Sequence, residues 1–103
     1  MEINSTINFM LSNDFKERFI AEYWQTKIRY DKLKSFNNRI LASIISDDVE
    51  EPTHSCPTEL LKEQQTVMGR YLQILEIRAV IEGIDLNEKV LNHYVGACEH
   101  AER

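Results

Sequence analysis

Between Phe15 and Ile45 apolar side chains recur every three or four positions, and neither glycine nor proline interrupts the run. Phe15, Phe19, Tyr23, Thr26, Tyr30, Leu33, Asn37, Ile40, Leu41 and Ile44 fall on one face of a wheel turned ~100° per residue, the recurrence of an amphipathic helix. Asp14 followed by Glu17 has the form of a capping box, so the first long helix is expected over 14–45. Acids, serines, threonines and proline then make a loop over 46–56. A second helix is expected over 57–82, with Pro57 suited to its first turn and Gly83 then Ile84 suited to a glycine C-cap. Asp85 and Glu88 repeat the capping pattern ahead of a third helix over 86–99, with Leu86, Val90, Leu91, Tyr94, Val95 and Cys98 apolar. Residues 1–13 read as an arm or a short helix.

These elements predict one all-α domain over 1–103: a long antiparallel helical hairpin plus a shorter C-terminal helix. Heptad-like spacing packs the two long helices at roughly 20°. If Ile45 faces Pro57, Arg78 lies level with Trp24, Tyr71 with Asp31 and Gln64 with Asn38. The inward face of the second helix is then expected to hold Leu60, Gln64, Val67, Met68, Tyr71, Ile74, Leu75, Arg78 and Glu82. An inward Arg78 needs a partner, because a charge is rarely buried unpaired. Glu22 across the hairpin and Glu82 one turn along are the candidates, with Tyr23 as a stacking surface; the same arginine could instead hold an anionic ligand or only snorkel to solvent.

The stretch from Tyr71 to Ile81 carries eight apolar residues in eleven, more than one stripe can hold. Ile77 and Val80 fall outside the expected core face, and Ile20, Trp24 and Ile28 form a second stripe on the first helix. Either the third helix and the amino-terminal arm cover them or another molecule does. Self-association through these residues is expected, with Trp24 as the anchor, since buried tryptophans tend to dominate interfaces.

Composition narrows the class. With 43% hydrophobic and 28% charged residues in 103, the chain is a folded domain with no apolar run of membrane-span length. The start, MEINSTINFML, has no basic region ahead of its apolar patch, so no secretory signal and a cytosolic location are expected, with Cys56 and Cys98 reduced. A net charge of −5 argues against general nucleic-acid affinity. No phosphate loop, HExxH or nucleophile elbow is present. His54-x-Cys56 and Cys98-x-His100 offer four zinc-type ligands, but helices of about 39 Å and about 22 Å leave the pairs roughly 15 Å apart. His93 and His100 read as helix-surface residues. No enzyme activity, no metal and no cofactor are therefore expected. Asp47, Asp48, Glu50 and Glu51 read as a solvated loop that could meet a basic surface.

The blocks DFKERFIAEYWQTKIRYDKL, CPTELLKEQ and MGRYLQILEIRAVIEGIDL resemble a family of small helical accessory proteins encoded by tailed phages and prophages. They cover Asp14 to Leu33 and Cys56 to Leu86, and Thr26 stands where the family pattern often has leucine. The resemblance implies phage origin, a helical hairpin and action in the cytoplasm of an infected bacterial host. It points to a non-enzymatic binding protein, first of all a stoichiometric inhibitor of a bacterial immune effector such as a CRISPR nuclease, whose basic nucleic-acid-binding surface would meet the acidic loop. An oligomeric sponge for an immune signalling nucleotide, with Arg78, Arg29, Lys27, Tyr30 or Tyr71 around its pocket, and a structural or regulatory phage component are the alternatives.

Overall fold

A computed structural model describes residues 3–87. Among them every regular element is helical: a 3₁₀ turn at Ile3–Thr6, α1 at Ile7–Met10, α2 at Phe15–Ile45 and α3 at Thr58–Glu82. The third helix expected over 86–99 falls on residues outside this range, apart from its first two positions.

Local chemistry sets the element ends. Asp14 is extended and its carboxylate accepts the Lys16 amide at 2.8 Å, satisfying one of the free donors that open α2. At the far end the Ser46 amide donates to the Ala42 carbonyl at 2.9 Å. α3 starts directly after Pro57 and stops at Gly83, whose left-handed backbone (φ 68°, ψ 34°) turns the chain so that the Ile84 amide reaches the Ala79 carbonyl at 2.8 Å. Ile84 is buried by that turn.

Residues paired across α2 and α3 run in opposite order: Asn37 meets Leu61 and Gln65, Tyr30 meets Gly69, Tyr23 meets Glu76 and Phe19 meets Arg78. The register differs from the expected one. Tyr71 reaches Glu22 rather than Asp31, and Arg78 sits over Phe19 rather than beside Trp24. The end of α2 overshoots the start of the pairing, which leaves Ile44 and Ile45 exposed.

The inward face of α3 is also turned by one residue. It holds Leu72, Leu75 and Ala79 in the core, with Leu61, Gln65, Met68 and Gly69 partly covered, while Leu60, Val67, Tyr71, Ile74 and Arg78 remain open. α3 carries two heptad series offset by one position, and apolar periodicity alone cannot choose between them. A close approach marks the packed series: a Cβ on Gly69 would lie 3.2 Å from the Tyr30 ring, so a larger residue there would push the ring back by a few tenths of an ångström.

Phe9, Phe19, Ile20, Ala21, Tyr23, Leu72, Leu75, Ala79 and Ile84 form one core, at the end where α2 begins and α3 finishes. Each large side chain removed from water here contributes roughly 1.5–3 kcal/mol. The amino-terminal segment closes this core, with Phe9 inserted and Gln25 of α2 donating to the Thr6 hydroxyl at 2.9 Å and to the Met10 sulfur. Ile20 and Ile28, whose cover the sequence leaves open between the chain itself and another molecule, are buried within the chain. Trp24 is partly buried, and its indole N–H donates to the Leu86 carbonyl at 3.1 Å. Phe15, Leu41 and Ile44, expected in the core, are exposed. No helix among the described residues is long and apolar enough to cross a membrane.

Candidate functional site

Phe15, Arg18, Phe19 and Glu22 follow one another at helical spacing and so share one face of the first turns of α2. Arg78 comes from α3 to close an open cleft with these four residues. The Phe15 and Phe19 rings are 6.2 Å apart and tilted by 59°. The Arg78 guanidinium lies 5.0 Å above the Phe19 ring centre and pairs with Glu82 at 3.5 Å. Arg18 donates to the Ser12 carbonyl at 2.9 Å, which anchors one of its nitrogens and leaves its other donors unused by that bond.

Arg78 is therefore not the buried charge expected from sequence. Its side chain is 49% exposed, and of the two carboxylates considered it pairs with Glu82. Glu22 accepts a hydrogen bond from the Tyr71 hydroxyl at 2.6 Å instead. That bond, with some desolvation, raises the Tyr71 pKa, so the phenol is held as a donor. The result is a cleft with two guanidinium groups and the open Phe15 ring, floored by the buried Phe19, beside a Glu22–Tyr71 pair. Such a donor set matches an anion carrying a flat ring, since guanidinium forks bind phosphate oxygens and rings stack on aromatic faces. Lys27 and Tyr30 lie elsewhere along α2: Lys27 pairs with Asp31 at 3.0 Å and sits 5.7 Å from the Tyr30 ring.

The loop builds a second arrangement. Asp47, Asp48, Glu50 and Glu51 are all exposed. His54 stands edge-on to Phe36 of α2 at 6.0 Å, with one ring nitrogen 2.8 Å from the Cys56 carbonyl and the other 3.2 Å from Glu51. The carbonyl first, and then the carboxylate, raises the His54 pKa above 6.5. A shallow cavity beside it is lined by Phe36, Arg39, Glu50, Glu51, Pro52 and Thr53. Among the described residues no group of His, Cys, Asp and Glu could hold a metal ion, and the Cys98 and His100 half of the zinc-type set lies outside them.

Of the apolar residues singled out from sequence, Ile77 and Val80 are open to solvent, at 49% and 83% exposure. Ile20 and Ile28 are in the chain's own core and Trp24 borders it. Phe19 lies in the core, as its place on the apolar face of α2 predicts, whereas Phe15 is open beside Arg18 at the cleft, a neighbourhood visible in the Phe-x-x-Arg-Phe-x-x-Glu spacing.

Compared with known proteins, the chain matches the family model for Sequestin over residues 13–81, a span that takes in α2, the loop and nearly all of α3. Searches of curated proteins and of solved structures each gave no match. The family fits the small accessory-protein class that the sequence blocks resemble, and the chain belongs to the Sequestin family.

Proposed function

We propose that this chain is a non-enzymatic sequestering protein that holds a small phosphate-bearing, nucleotide-like ligand in the cleft between Arg18 and Arg78, lowering the ligand's free concentration stoichiometrically. The family's name speaks for binding by retention. The observation that carries the choice of ligand is the pairing of two guanidiniums with the exposed Phe15 ring in one open cleft. Guanidinium forks supply charge-assisted hydrogen bonds to phosphate, while the Phe15 ring and Arg78 supply stacking faces. Phage origin, a cytoplasmic setting in an infected bacterium and an immune signalling nucleotide as the ligand follow from the resemblance of the sequence blocks. An open cleft on one chain captures weakly, so self-association that walls it in is part of the same reading.

A second reading rests on the acidic loop: four exposed carboxylates at 47, 48, 50 and 51 could occupy the basic nucleic-acid channel of an immune effector such as a CRISPR nuclease. Isothermal titration with a panel of cyclic nucleotides and NAD-derived molecules separates the two. Saturable binding that is lost in Arg18→Glu and Arg78→Glu supports the first. No binding across the panel, with a nuclease inhibited stoichiometrically, supports the second.

A further inference from the structure

Among the described residues, α3 leaves a second heptad series open along its flank. Leu60, Val67, Tyr71, Ile74 and Ile81 are all exposed, and Gln64 and Arg78 fill the remaining steps of the same 3–4 spacing. Val67 and Ile81 are 60% and 78% open. A seam of this kind, about 32 Å long at 1.5 Å per residue, is what a helix presents to another helix.

We infer that this outer seam of α3 docks on the same seam of a second copy, with the two α3 helices antiparallel about a two-fold axis near Tyr71. The inference deepens the self-association in the proposed function and rests on that part of it. Self-complementarity along the seam identifies the occupant. Its first half offers a groove lined by Leu60, Glu63, Gln64, Val67 and Met68. Its second half offers the open Ile74 and Ile81 together with the cation of Arg78. A two-fold axis brings the knobs of each copy to the groove of the other, as an isologous interface requires. The charges agree with that direction. Antiparallel docking brings Arg78 of one copy to the level of Glu63 of the other, whereas parallel docking would set Arg78 against its own image. Arg70, near the axis, is drawn along its own helix by a 2.8 Å hydrogen bond to Gln73. Since Arg78 also borders the cleft with Phe15 and Phe19, the second copy would stand as a wall beside it.

Sedimentation equilibrium and disulfide trapping of the full chain, without ligand, test this. Wild type is expected at twice the chain mass, and Val67→Glu with Ile74→Glu is expected at the chain mass with unchanged helix content. With Cys56 and Cys98 replaced by serine, Leu60→Cys mixed with Ile81→Cys should cross-link, while Leu60→Cys alone should not. Should the charged variant unfold, the trapping pattern still decides. A wild-type monomer at high concentration would overturn the inference, the seam then being covered by residues 88–103 or by a foreign protein. A dimer indifferent to the seam changes, or Leu60→Cys trapped with itself, would overturn it equally. A monomer that still binds nucleotide would sink this inference alone, and a dimer that binds none would sink only the ligand assignment.

Discussion

The Arg78 guanidinium lies 5.0 Å above the ring of Phe19, held from the side by Glu82 at 3.5 Å and half open to water. An arginine so placed is a surface group on an aromatic shelf, not a buried ion pair. Arg78→Ala should change stability by less than about 1 kcal/mol, as exposed pairs do. Charge reversal to Glu should weaken ligand binding by more than tenfold, or about 1.4 kcal/mol. Urea unfolding and titration calorimetry measure the two effects separately. A stability loss of about 3 kcal/mol would return Arg78 to a buried structural role.

Asn37 is buried where α2 meets α3, donating to the Leu61 carbonyl at 3.1 Å and to the Gln65 side chain at 2.9 Å. Asp at this position would aim a carboxylate at the fixed Leu61 carbonyl, with a turned Gln65 amide as its nearest donor. Asn37→Asp should cost about 2 kcal/mol at neutral pH, because a charge is then enclosed against a carbonyl. The loss should shrink as pH falls and the carboxyl protonates. Denaturant midpoints at pH 7 and pH 4, compared with wild type, give the result, and an unchanged difference between them would reject the account of Asn37 as a dedicated donor.

Much of the fold was legible in sequence, for physical reasons visible in particular residues. Asp14, Pro57 and Gly83 each answer a backbone demand that is local, so they mark where helices start and stop without knowledge of the rest. Which face of α3 points inward was not legible, since Leu61–Ala79 and Leu60–Ile81 are equally regular series one position apart. The Tyr30 ring against Gly69 and Asn37 against Leu61 and Gln65 mark the packed face, and these contacts join residues far apart in sequence. The same rotation explains the candidate site: it carried Arg78 from the core to the surface and Tyr71 to Glu22. Ile20 and Ile28 read as a second stripe whose cover the pattern of α2 alone does not choose, and Ile20 shares its cluster with Phe9 of the amino-terminal segment.

Both ring nitrogens of His54 face acceptors, the Cys56 carbonyl and the Glu51 carboxylate, so only the protonated ring can donate to both. The folded-state pKa is accordingly raised above 6.5, by the carbonyl first. The stabilisation is fully present below the unfolded pKa and is lost as pH rises through the higher folded value. An NMR titration of the His54 ring should show a midpoint above 6.5 that moves down in Glu51→Gln, with His54→Gln used to assign the signal. A midpoint at or below 6.5 in wild type would contradict the loop geometry.

Reversing the loop charges at Asp47, Asp48 and Glu50 to lysine should leave helix content and ligand affinity within about twofold, since exposed carboxylates remote from a bound group are screened by salt. Competition binding at two ionic strengths checks this. A large, salt-sensitive loss of association with a protein target would favour the surface-blocking reading instead.

Native mass spectrometry of the protein purified from phage-infected cells tests the sequestering claim most directly. The expected spectrum shows a small phosphorylated molecule retained at a fixed ratio to the chain and missing from Arg18→Glu, Arg78→Glu protein prepared in parallel. A chain free of any small molecule, copurifying instead with a host protein through the acidic loop, would contradict it.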